Sequence, residues 1–226
     1  MPLIPSPWGT GTTMGAVLAL LVTAVGAYFL GCSNGAVIIS KYILRDDIRT
    51  HGSGNAGLTN FLRTFGGPWT LALIAIDVGK AVLAVWLGVQ AFHFVSWPGL
   101  ELYGKYEAAM FCLLGHMFPC MFGFKGGKGI LSGGTIALML DWRLALLVWG
   151  GFLILTALTR YVSLGSVFAA AAFPVGTWLF VTHDPIIMAI ATFLGVLVLW
   201  MHRANIKRLL TGTENKLSFH KKGDSK

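Results

Sequence analysis

The chain has 226 residues, of which 55% are hydrophobic and only 12% charged, and its mean hydropathy is +0.72. A soluble protein of this size could not cover its surface with so few charges, and a disordered chain would carry far less apolar content. The composition therefore specifies an integral membrane protein of bundled helices.

The apolar runs, cut at charges and turn residues, predict helices over 14–40, 69–95, 106–123, 129–140, 144–159, 163–182 and 186–201. Several fall short of the ~20 residues that cross a bilayer core, so some ends tilt or re-enter. With all seven crossing, fourteen of the 17 Lys and Arg residues fall on one side. Only Lys105 and Arg143 fall on the other, and Lys80 lies inside a helix. The positive-inside rule then puts the N-terminus outside and the C-terminus in the cytoplasm. The expected fold is all-α: a polytopic seven-transmembrane-helix bundle. It divides into a polar lead over 1–13, a membrane domain over 14–201 and a basic cytoplasmic tail over 202–226.

The net charge of +8 follows from this topology and from attraction to anionic headgroups, so membrane lipids, not nucleic acid, are the expected surroundings. The lead has no positive n-region and does not read as a cleaved signal. Cys32, Cys112 and Cys120 lack ligand spacing and read as small packing residues. Trp8, Trp69, Trp97, Trp142 and Trp149 fall near helix ends, where aromatic belts sit.

The dense polar clusters all lie on one side. After the first helix come His51-Gly52-Ser53-Gly54-Asn55-Ala56-Gly57-Leu58-Thr59-Asn60 and Arg63; after the third, Lys125-Gly126-Gly127-Lys128-Gly129. Before the sixth helix stand Arg160-Tyr161-Val162-Ser163-Leu164-Gly165-Ser166. The tail opens on His202-Arg203-Ala204-Asn205 and continues to Glu214. Glycine-rich loops let backbone N–H groups approach an anion, and helix N-termini add a favourable dipole. Gly126, Gly127 and Gly129 could supply amides and Lys128 a point charge. A plain connector is the competing reading of that loop. It is not a Walker A loop, because Phe122 stands where its first glycine would be and no Ser or Thr follows Lys128. Ser53 and Asn55 offer hydroxyl and amide donors, and Arg63 could clamp a phosphate with its fork. His202 and Asn205, three apart, share a face if the tail starts as a helix.

Bland readings attach to the remaining polar residues. His116, on an apolar helix, reads as a hydrogen-bonded core residue. Asp77 and Lys80 read as a structural ion pair, since a lone charge at mid-membrane costs about 2.5–3.5 kcal/mol. His51 and His220 read as solvated loop residues.

Ser53-Gly-Asn-Ala-Gly-Leu-Thr-Asn60 with Arg63 resembles the first motif of the bacterial acyl-phosphate glycerol-3-phosphate acyltransferases, the PlsY family. Gly115-His116-Met117-Phe118-Pro119 through Gly129 resembles the second. Arg160-Tyr161-Val162-Ser163-Leu164 and His202 through Glu214 resemble later blocks, in the same order over about 31–216. The resemblance implies acyl transfer from acyl phosphate to the 1-hydroxyl of sn-glycerol 3-phosphate, giving lysophosphatidate and phosphate. It implies no metal or other cofactor, no obligate protein partner, and a bacterial plasma membrane with the site on the cytoplasmic side. It also implies that Ser53, Arg63, Lys128, Ser166, His202 and Asn205 line the substrate site. Two rival classes remain to be weighed. Acyl-CoA-type acyltransferases place an Asp five positions after a His, but here those positions hold Ala56, Pro98, Met121, Met188 and Lys207. A transporter of a phosphorylated or anionic metabolite would need a polar path through the helices or paired interrupted helices.

Overall fold

The structure, a computed structural model, describes residues 11–94 and 100–217, with side chains from Met14 onward. The expectations placed on 1–10, on the turn at 95–99 and on the basic end of the tail from 218 lie outside the described residues. Ten α-helices follow along the described chain: α1 (Gly11–Cys32), α2 (Gly35–Ile38), α3 (Leu58–Thr64), α4 (Trp69–Phe94), α5 (Glu101–Met117), α6 (Ile130–Leu140), α7 (Trp142–Thr159), α8 (Val162–Phe180), α9 (Pro185–Met201) and α10 (Arg203–Leu210). No strand occurs among the described residues.

Local chemistry accounts for most of the ends. Asp141 caps α7 by accepting from the N–H groups of Arg143 and Leu144, and Asp184 caps α9 in the same way ahead of Pro185. Pro119 cannot donate and disfavours helix at the residue before it, so α5 stops at Met117, not at 123. The run expected over 14–40 is broken. α1 ends at Cys32, and α2 restarts after Asn34, whose side chain caps Val37, before passing into a π turn over Ile39–Ile43.

Among the described residues, four helices are long and apolar enough to cross a membrane: α1, α4, α7 and α8. α9 with α10 makes a further candidate, bent by 60°. The 17 residues of α5 and the 11 of α6 are too short to be assigned a crossing by length alone. Leu71, Leu83, Leu146, Leu158 and Val196 are exposed, whereas Asp77, Lys80, His116 and His202 are buried. This is the polarity of a bundle solvated by lipid.

The largest core lies between α5, α6, α7, α8 and α9 around Tyr106, Leu113, Ile136, Leu144, Phe173 and Leu194. A smaller one seats the loop after α1 on α4 through Val37, Ile39, Ile48, Phe61 and Leu73. That second core turns a connector into a fixed platform. α1, α4 and α5 approach one another through small residues, as helices do in lipid. A Cβ on Gly88 would lie 2.2 Å from the Gly104 carbonyl, whereas one on Gly79 would meet nothing within 4 Å. Gly88→Ala should therefore cost about 1–3 kcal/mol by overpacking and lower the thermal midpoint of the detergent-purified protein. Gly79→Ala, in the same helix, should be neutral or stabilising. Equal midpoints for the two variants would refute this packing.

Candidate active site

A cavity of about 210 Å³ opens where α3, α6, α8 and α10 begin. Ser53, Asn55, Arg63, Lys128, Gly129, Ser166, His202 and Asn205 all line it. Residues scattered over 150 positions of sequence thus meet around one space. Gly126 and Gly127 do not line it. Their N–H groups donate to the carbonyls of Met117 and His116, each at 3.1 Å, so both amides are occupied in closing the loop onto α5. What these two positions require is the missing side chain: a Cβ on Gly126 would lie 2.0 Å from the His116 carbonyl, and one on Gly127 2.2 Å from His116 Nε2. The free backbone donors are elsewhere. α6 and α8 start at Gly129 and Tyr161 without a side-chain cap, and Ile130, Leu131, Val162 and Ser163 of their first turns line the cavity. Uncapped N–H groups and the helix dipole favour an anion there.

The platform below the first loop is organised by three residues that sequence reasoning missed. Asn60 is buried and donates to the carbonyls of His51 at 3.0 Å and Asn55 at 3.1 Å, while its oxygen accepts from the Ser53 N–H at 3.1 Å. Asn34 donates to the Ala56 carbonyl at 3.1 Å. Arg49 pairs with Asp47 and reaches the Phe122 carbonyl at 2.6 Å, tying the first loop to the second. Asn60 stood inside a recognised motif, but Asn34 was hidden in an apolar run and Arg49 read as a topology charge.

Lys128 donates to Asn205 Oδ1. The Asn205 amide in turn donates to Glu214 at 3.0 Å, and Arg208 pairs with the other Glu214 oxygen at 2.7 Å. Both ends of Asn205 are therefore engaged within the protein, and it aims Lys128. Burial pushes Glu214 up, but hydrogen bonds from Asn205 and Arg208 outweigh this and hold it below the usual carboxylate range. Arg160, in the left-handed region with φ 66°, donates to the Leu217 carbonyl and accepts from its N–H, which fastens the chain after Glu214.

Arg63 is exposed at the cavity, with no hydrogen bond or ion pair among the described residues. The hydroxyl of Ser166 donates to the Val162 carbonyl at 2.9 Å, leaving its lone pairs free. His202 is 3% exposed, and its Nδ1 lies 2.8 Å from the Val198 carbonyl. Since a carbonyl only accepts, Nδ1 carries the proton and Nε2 holds a lone pair. Burial, with Lys128 nearby, pushes its pKa down to about 4, so the ring is neutral at pH 7. The expected Asp77–Lys80 ion pair is present at 2.7 Å, and Lys80 also contacts His116 Nδ1 at 2.7 Å. Among the described residues no group of three His, Cys, Asp or Glu could hold a metal ion.

A family model described as glycerol-3-phosphate acyltransferase matches residues 9–212. The chain belongs to that family. Its curated relatives include a glycerol-3-phosphate acyltransferase of Finegoldia magna, 37% identical over 88% of this chain and 97% of the relative. Another, from Clostridioides difficile, is 38% identical over 89% and 97%. Among solved structures, the glycerol 3-phosphate form of PlsY (YgiH), an integral membrane glycerol 3-phosphate acyltransferase, superposes with a TM-score of 0.78 at 30% identity. That match covers 88% of this chain and 96% of the other. Its lysophosphatidic acid form gives 0.72 at 32% identity. Family membership makes the chain an acyltransferase and sets aside the transporter alternative.

Burial, followed by repulsion from Arg208, pushes the Lys128 pKa down to about 8. The Lys128 ammonium is therefore present below that pH and lost above it. For the free enzyme, kcat/KM toward glycerol 3-phosphate should fall about tenfold per pH unit above this point. Lys128→Arg should remove the alkaline limb, because the guanidinium stays protonated. An unchanged limb in that variant would assign the titration to another group.

Proposed function

We propose that this protein transfers an acyl group from acyl phosphate to the 1-hydroxyl of sn-glycerol 3-phosphate, releasing phosphate. The observation that carries the reading is the convergence of Arg63, Lys128 and the uncapped starts of α6 and α8 on one cavity. Two phosphate-bearing substrates need such a concentration of anion-binding groups. A small apolar pocket shares Gly129 and Ile130 with the cavity and is walled by Leu113, Val148, Phe173 and Leu194. It suits a segment of acyl chain next to the reacting carbonyl. In the proposed topology seven segments cross a bacterial plasma membrane. The N-terminus lies outside and the cavity opens to the cytoplasm, where glycerol 3-phosphate is available.

In the proposed step, glycerol O1 bonds to the acyl carbon, the bond from that carbon to the phosphate oxygen breaks, and the hydroxyl proton must be taken up. Arg63, Ser53 and Lys128 hold the phosphates, and His202 Nε2 accepts the hydrogen bond of the incoming hydroxyl. A base with a pKa near 4 has little driving force to remove that proton. The departing phosphate, whose oxygen gains basicity as its bond to the acyl carbon breaks, is the better acceptor. His202 then orients the nucleophile, and positioning with charge neutralisation carries the catalysis.

Purified protein should release phosphate from palmitoyl phosphate and glycerol 3-phosphate, yet give no product from palmitoyl-CoA without a carrier. Comparable turnover of the thioester would sink the donor assignment. In the same assay Arg63→Lys, which keeps the charge but loses the fork, should be at least as damaging as His202→Gln. Removing a general base costs roughly 10²–10⁴ in kcat, and His202→Gln should lose less than that. A thousandfold loss with normal glycerol 3-phosphate binding would restore His202 as the base.

A further inference from the structure

Lys80, Asp77 and His116 form a buried group that borders the cavity, yet none of them has a part in the step just described. The Lys80 ammonium has three donors and three acceptors around it: Asp77 Oδ1 at 2.7 Å, His116 Nδ1 at 2.7 Å and the Ser33 carbonyl at 3.1 Å. An ammonium can only donate, so His116 Nδ1 is an acceptor and the ring proton sits on Nε2. The imidazole is thereby held as a neutral donor. Its other edge packs against the glycine loop on both sides of Lys128: a Cβ on Gly127 would lie 2.2 Å from Nε2, and one on Gly129 4.0 Å from Cδ2. His116 and Lys128 both line the cavity, and His116 Nε2 has no hydrogen-bond partner among the described residues. A fixed neutral N–H at an anion site stabilises negative charge without the desolvation cost of another buried cation.

We propose that His116 is a further substrate-contacting residue, a neutral imidazole whose Nε2–H donates to an oxygen of the phosphate group bound beside Lys128, with Asp77 and Lys80 fixing its tautomer. This rests on the reading of the cavity as a phosphate-substrate site. A purely structural His116, serving only to satisfy Lys80, would be insensitive to that ligand.

The test uses the full-length protein in nanodiscs, ¹⁵N-labelled at its six histidines and titrated with glycerol 3-phosphate at pH 7. The His116 signal is identified by its absence from His116→Gln, or by its survival when the other histidines are replaced in turn. Equilibrium dialysis of radiolabelled glycerol 3-phosphate follows binding independently. The free protein should show the Nε2–H tautomer, and saturation should shift that resonance. In turnover, His116→Ala should lose about 10²-fold in kcat/KM, the upper scale for losing a hydrogen bond to a charged group. His116→Gln, which keeps a donor near the Nε2 position, should recover at least tenfold of that loss. An Nδ1–H tautomer, an unmoved resonance at saturation, or equal losses in the two variants would overturn the proposal while leaving the site reading intact. Absence of binding in the dialysis would overturn both. Where the Ala variant fails to fold, the wild-type titration decides.

Discussion

The three hydrogen bonds of the Lys80 ammonium are the constraint on which the other features hang. A charged amine inside an apolar bundle is tolerable only with its charge balanced and its donors filled, and here one acceptor is the Ser33 carbonyl at the break after α1. The Asp77 carboxylate also accepts from the Gly35 N–H at 3.2 Å, on the far side of the same break. The ion pair thus replaces the backbone bonds that a continuous helix would have made at those positions. It lets the chain leave the bundle axis and return as α2, the π turn and the platform that carries Ser53, Asn55 and Arg63. Removing either partner would strand a charge and unmake the bend together.

A division of labour follows from this arrangement. Groups that meet the cavity directly, such as Arg63 and Lys128, are held by groups that do not. Asn60 gathers the first loop, Arg49 fastens it to the second, and Asn205 with Glu214 aims Lys128. Each supporting contact reaches backbone or a charge-assisted partner, geometries that limit side-chain freedom. The cavity end is therefore built from four separate chain segments.

Much of this was legible beforehand, for definable reasons. Six of the seven apolar runs became α4 through α9, with the shared boundary near Asp141 set by a side-chain cap that the sequence displays. The break in the first run was not legible. Ser33-Asn34-Gly35 is a turn signal too short to stand out between long apolar stretches, and what holds the break lies more than 40 residues away in Asp77 and Lys80. The cavity-facing cations and His202 were legible because charge and local glycine mark them. Gly126 and Gly127 were placed in the correct loop but given the wrong task, since a glycine that admits an anion and one that admits a neighbouring carbonyl look alike in sequence. His116 read as a core histidine for a related reason: only the fold brings its ring beneath the loop.

The shortness of α6 has a consequence for how the donor arrives. Eleven residues rise ~16 Å, about half of a ~30 Å hydrocarbon core. In the proposed topology a helix that short crosses only where the bilayer thins around it, which brings the methylenes of surrounding lipids close to the Gly129 end. An acyl donor already dissolved in that leaflet can enter sideways, without lifting its tail into water. Its encounter rate is then set by two-dimensional surface density, while glycerol 3-phosphate is drawn from the aqueous phase. On that reading, two reactants held in different solvents meet at the boundary between them.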